Sequence, residues 1–133
     1  MPNSPVIAVV DDDEAVREAL HELLHVLSIT CRTFDRAEAF LAAYTPGEFG
    51  CLITDLHMPG MGGLELQQKL RALGSSIPVI IVTSVSDPPS RSRALAEGAF
   101  ACLTKPVSAD VLFHHLTAAL AVGKNSGETN DGK

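Results

Sequence analysis

The sequence predicts an α/β fold, a doubly wound parallel sheet of five strands built as (βα)5, and three observations carry that prediction. Short β-branched runs alternate five times with segments of helical period, the pattern of repeated βα units. The first, third and fourth strand runs are almost wholly apolar, as expected of strands covered on both faces. The 133 residues, 46% hydrophobic with no Trp, one Tyr and five Phe, suit one domain with an aliphatic core.

In order, the strands are expected at 6–10, 30–34, 51–54, 79–82 and 100–104. Between the first two, residues 14–27 place Val16, Leu20, Leu23, Leu24 and Leu27 on one helical stripe, with Glu14, Glu18, His21 and His25 facing away. Asp35-Arg36-Ala37-Glu38 reads as a capping box opening a second helix through Tyr44, which Pro46-Gly47 ends. A third helix, 64–73, is closed by Gly74. The fourth, after Asp87-Pro88-Pro89, has little apolar surface before Gly98 and is the weakest. Ser108 caps the fifth, which carries Val111, Leu112, Leu116, Ala119 and Leu120. One domain is thus expected over 5–121, with 122–133 a flexible polar tail or linker stub.

A formal charge of -6 and a pI near 5.2 argue against direct nucleic-acid binding, which demands a basic stripe. Cys31, Cys51 and Cys102 stand apart in apolar runs and read as free thiols of a reducing cytosol. No apolar run reaches membrane-spanning length, and Met1-Pro2-Asn3-Ser4-Pro5 lacks a basic secretion start, so a cytoplasmic location is expected.

Ligands of an open parallel sheet sit outside the carboxyl ends of its strands. There the chain places Asp11, Asp12 and Asp13 after the first strand, Asp55 after the third, Thr83 and Ser84 after the fourth, and Lys105 after the fifth. Three carboxylates at one rim repel unless a cation neutralises them, and hard oxygen ligands suit Mg²⁺. Lys105 and Thr83 supply a positive charge and a hydroxyl, the parts that hold phosphoryl oxygens while a carboxylate attacks phosphorus. The plainer alternative, acidic residues that only cap helices, accounts for Asp12 or Asp13 singly but not for four strand ends bearing complementary groups.

Val9-Val10-Asp11-Asp12, the run from Thr54-Asp55 through Met58-Pro59-Gly60-Met61-Gly62-Gly63 to Leu66, Val82-Thr83-Ser84 and Thr104-Lys105-Pro106 resemble bacterial two-component receiver domains. With Asp35-Arg36-Ala37-Glu38-Ala39-Phe40-Leu41, the wording looks most like receivers that precede a LuxR-type helix-turn-helix output domain. The resemblance implies a flavodoxin-like sheet in the order 2-1-3-4-5. It implies that Asp55 accepts a phosphoryl group from a sensor histidine kinase or histidine phosphotransferase. Mg²⁺ would be surrounded by Asp11, Asp12, Asp55 and the backbone carbonyl of His57, with Asp13 only starting the helix. Thr83 would donate to the phosphoryl group, Lys105 would pair with it, and a cis bond before Pro106 would fix the lysine's approach. Ser84 would be the small neighbour. His57 and Val85 would flank the site, with apolar Val85 slowing self-hydrolysis. No enzyme activity beyond self-phosphorylation and slow self-dephosphorylation is implied, and a homodimer through the fourth helix, fifth strand and fifth helix is.

One departure stands out. Cys102 occupies the place where receivers carry a Tyr or Phe that swings inward as Thr83 moves, so the relay from Thr83 and Ser84 is altered. Phe100, roughly 6.6 Å along the same strand face, is the expected partial substitute, and the loosely anchored fourth helix the other route.

His21-Glu22-Leu23-Leu24-His25 spells a zinc-protease pattern, but Leu23 and Leu24 belong to the buried stripe and no third ligand is evident. Gly60-Met61-Gly62-Gly63 lacks the lysine and spacing of a Walker loop. His114 and His115, about 100° apart on a helix, read as surface. Two other functions compete with the phosphoacceptor switch: a pseudo-receiver binding module that signals without phosphorylation, and an aspartyl phosphohydrolase, which would want a second Asp where His57 stands.

Overall fold

The computed structural model describes the backbone of residues 6–84 and 88–132, and side chains up to residue 121. Its elements are β1 Val6–Val10, α1 Glu14–Val26, β2 Cys31–Phe34, α2 Ala37–Ala43, β3 Phe49–Thr54, α3 Gly63–Ala72, β4 Val79–Thr83, α4 Pro88–Ala96, β5 Ala101–Thr104 and α5 Ala109–Gly132. All strand pairs are parallel, in the order β2-β1-β3-β4-β5. The expected α/β fold and strand order are therefore those observed.

The apolar strand runs have the physical origin expected of them. Along β1, Ala8 and Val10 pack on one side of the sheet with Phe40, Leu66, Leu70 and Ala94, from α2, α3 and α4. Ile7 and Val9 pack on the other with Leu20, Leu24, Leu112 and Leu116, from α1 and α5. Both faces of the central strands are thus dry. At the β2 edge, the rings of Phe34, Phe40, Tyr44 and Phe49 form a cluster with centroids 5.2–6.4 Å apart, and Arg32 lies over Phe34 and Phe49.

Local signals decide the helix ends. Asp13 accepts from the amides of Ala15 and Val16 and starts α1, and Ser108 Oγ accepts from Val111 N. Gly74, at φ +84°, closes α3 where an L side chain would be strained.

Two expectations are corrected. The capping box at Asp35 is absent: α2 starts one residue later, Arg36 is its N-cap with no side-chain bond, and Asp35 pairs instead with Arg36 Nε at 3.4 Å. The half of a capping box that does form lies on α3, where Glu65 Oε1 accepts from Gly62 N. The backbone of α5 runs on as helix through 122–132, within the segment expected as a flexible polar tail or linker stub. The second correction concerns Phe100. It precedes the first residue of β5, outside the strand's alternation. It packs with the α1–α5 side while Cys102 is buried on the α2–α4 side, so Phe100 cannot stand in for an aromatic at 102.

Candidate functional site

The rim residues are set by their neighbours' backbones. Asp11 N donates to Phe34 O at 3.1 Å, Asp55 N to Val10 O at 3.1 Å, and Lys105 N to Thr83 O at 2.9 Å. Each bond extends the ladder one residue past a strand end. Asp11, Asp55, Thr83 and Lys105 therefore converge because β1, β3, β4 and β5 lie in consecutive order and end at one level.

At the centre is an ion-paired bridge. Lys105 Nζ donates to Asp11 Oδ2 at 2.8 Å and to Asp55 Oδ2 at 3.1 Å. Asp11 Oδ1 accepts from Asp13 N at 2.9 Å, and Asp55 Oδ1 from His57 N at 3.3 Å. Asp11 is 2% exposed, Asp55 8% and Thr83 1%, while Asp12 is exposed. Asp11, Asp12 and Asp55 each bring a carboxylate oxygen within 4.8 Å of the others, the one trio of metal-ligating side chains so gathered among the described residues. Such hard, anionic oxygens fit a small divalent cation. Arg17 Nη1, from α1, donates to the backbone carbonyl of Asp11 at 2.8 Å and braces the turn that carries Asp12.

The charges register this crowding. Burial raises the pKa of Asp11 above the ordinary 3.8, against the bonds from Lys105 and Asp13 that lower it. Lys105 is pulled down by burial, but its bonds to Asp11 and Asp55 outweigh that and leave it above 10.5. Both shifts are upward, so the two groups act with the same sign but in different pH windows. Stability that Asp11 contributes is present at low pH and lost as pH rises through its elevated folded value, whereas that from Lys105 persists until pH passes its own raised value. Asp11→Asn is accordingly expected to stabilise the metal-free protein at pH 7 and to remove the loss above pH 3.8, as urea unfolding across pH would show. An unchanged pH profile would contradict this.

The loop after Asp55 is shaped by close approach. Gly63 N donates to Leu56 O at 3.0 Å, and a Cβ on Gly63 would meet the carbonyl of Asp55. The bond between Lys105 and Pro106 is cis, and Ser84 is exposed beside buried Thr83. His57 offers its side chain to solvent. Val85, with Ser86 and Asp87, lies outside the described residues.

The other candidate motifs stay apart from the rim. His21 and His25 are exposed and line a shallow groove with Cys31, and no metal-ligating trio gathers there. On α5, His114 is exposed and His115 is half-buried. Burial pushes the Cys51 thiol up to about 12 and raises those of Cys31 and Cys102, and all three are free. Among the described residues, no helix is long and apolar enough to cross a membrane. Sequence reading missed Arg17 and Arg91. Arg91, on α4, donates to Cys102 O at 3.0 Å and to Thr104 Oγ1 at 3.2 Å.

Comparison with known proteins agrees with this geometry. The chain is 37% identical over all its 133 residues to the transcriptional regulatory protein FixJ of Azorhizobium caulinodans, spanning 63% of that protein. It is 38% identical over 123 residues, 92% of the chain, to the response regulator protein TmoT of Ectopseudomonas mendocina, spanning 56% of it. The chain thus spans between half and two thirds of these relatives' length. Among solved structures, the response regulator StyR superposes with a TM-score of 0.88 at 36% identity, over 97% of this chain and 65% of that one. FixJ-N superposes with a TM-score of 0.81 at 33% identity, over 91% of this chain and 96% of its own. Residues 7–117 match the response regulator receiver domain family, and the chain belongs to it.

Proposed function

We propose that this domain is a phosphoacceptor switch in which Asp55 takes a phosphoryl group from a phosphohistidine on a sensor histidine kinase or histidine phosphotransferase. The observation that carries the reading is the Lys105 bridge between the Asp11 and Asp55 carboxylates at the carboxyl ends of the strands. A carboxylate oxygen of Asp55 attacks phosphorus, the P–N bond breaks, and its electron pair returns to the imidazole ring. Lys105 then pairs with the incoming phosphoryl oxygens, and the hydroxyl of Thr83 donates to them. Asp11, Asp12, Asp55 and the backbone carbonyl of His57 would hold Mg²⁺, whose charge, when bound, offsets that of the phosphoryl oxygens. The product alters protein contacts and is not released, so the domain acts as a signal carrier in the cytoplasm and not as an enzyme. Exposed Leu95 on α4 and Val111 and Phe113 on α5 support self-association through the α4–β5–α5 face. The receiver domain is read as residues 5–121, with 122–133 a tail or linker stub.

Intact-mass measurement after exposure to acetyl phosphate and Mg²⁺ tests this. One phosphoryl adduct is expected, dependent on the cation and absent from Asp55→Asn. No adduct would favour a binding module that works without phosphorylation, and rapid turnover of phosphate esters would favour a hydrolase.

A further inference from the structure

The fourth helix is suspended between two polar seams. Ala94 is its one buried residue, so little apolar surface fixes its place. On the α3 side, Gln67 Nε2 donates to Ala94 O at 3.4 Å, Gln68 Nε2 to Glu97 Oε1 at 2.7 Å, and Arg71 Nη2 to Gly98 O at 3.1 Å. Gln67 is 1% exposed and its Oε1 has no hydrogen-bond partner. A seam with an unanswered buried acceptor does not favour one arrangement strongly. On the β5 side, Arg91 alone reaches across from α4 among the described hydrogen bonds, with one guanidinium nitrogen on Cys102 O and the other on Thr104 Oγ1.

Thr104 is the residue before Lys105, and Lys105 holds both rim carboxylates. A phosphoryl group on Asp55 would add charge and bulk where Lys105 Nζ now bonds Asp55 Oδ2, so the lysine and its backbone must follow the new anion. Cys102 is buried within the core cluster, and its side chain is too short to span from β5 to the rim. Arg91 grips both its carbonyl and the neighbouring hydroxyl. We propose that Arg91 is the positioning residue that couples the state of Asp55 to the placement of α4, through Thr104 and Lys105. The inference rests on the phosphoacceptor reading above. A helix with a single buried alanine moves at small cost, so changing two hydrogen bonds at its β5 side suffices to bias it.

The test is hydrogen exchange of the full chain with and without beryllofluoride and Mg²⁺, read at amides 90–96, since Pro88 and Pro89 have none. Loading is expected to change protection there by about tenfold. In Arg91→Ala and in Thr104→Val the change is expected to fall to about twofold or less, with the acetyl phosphate adduct formed as in the wild type. Thr104→Val keeps Arg91 on Cys102 O, so it decides the matter should Arg91→Ala leave α4 unprotected in both states. A full wild-type response in Thr104→Val overturns the proposal. So does an unresponsive α4 in a wild-type protein that forms the adduct. A wild-type protein that forms no adduct sinks the phosphoacceptor reading, and this inference with it.

Discussion

Lys105→Met is expected to lower the rate of phosphoryl uptake by about a hundredfold and, without Mg²⁺ at pH 7, to lower stability by about 3 kcal/mol. Methionine keeps the length of the side chain but leaves Asp11 and Asp55, 3% and 10% exposed at their side chains, facing each other with no cation. Burial is what chiefly raises Asp11, and repulsion from Asp55 adds to it in a lesser degree. Two conditions should restore stability: Mg²⁺, which answers the charge, and acid, which protonates one carboxylate. Uptake should stay impaired under both, because the phosphoryl oxygens still lack their lysine. Urea unfolding with and without the cation, beside intact-mass kinetics, separates these effects. Equal stability of variant and wild type at pH 7 without Mg²⁺ would show that the bridge does not hold the rim together.

Gly63→Ala should be comparably damaging for a different reason. The position is the buried first residue of α3, and the added methyl group would run into the Asp55 carbonyl, with Leu56 Cα 3.2 Å away. Both obstacles are backbone, so neither can rotate aside. The helix must retreat or β3 must bend, at a cost of about 3 kcal/mol, and either displaces the phosphoacceptor. A fall in melting temperature together with slowed adduct formation is expected. Alanine tolerated in both measurements would mean that the β3–α3 turn is slack, which its Gly63 N to Leu56 O bond of 3.0 Å opposes.

Much of this was legible in the sequence because it depends on periodicity and on chain order. Five short β-branched runs located five strands, and strand-end residues shared one edge once the strands were parallel. Asp13 and Ser108 announced themselves as caps because a cap acts within three residues. Longer reach was illegible. Arg17 and Arg91 act across elements, leaving no trace in spacing. Phe100 was assigned a face by counting alternation back from Cys102, yet alternation holds only inside a ladder, and the ladder opens at Ala101. The Asp35 box failed by a shift of one residue, which local pattern alone does not resolve.

The ring cluster of Phe34, Phe40, Tyr44 and Phe49 gives the protein an optical asymmetry. Its single tyrosine, with no tryptophan anywhere in the chain, sits beside β2, at the opposite edge of the sheet from β5. Near-ultraviolet emission therefore watches one edge and is dark at the other. A tryptophan in place of exposed Leu95, on α4 against β5, would illuminate the dark side. Two emitters at opposite edges would then tell a movement confined to the α4–β5–α5 face, seen in one colour, from loss of the whole fold, seen in both.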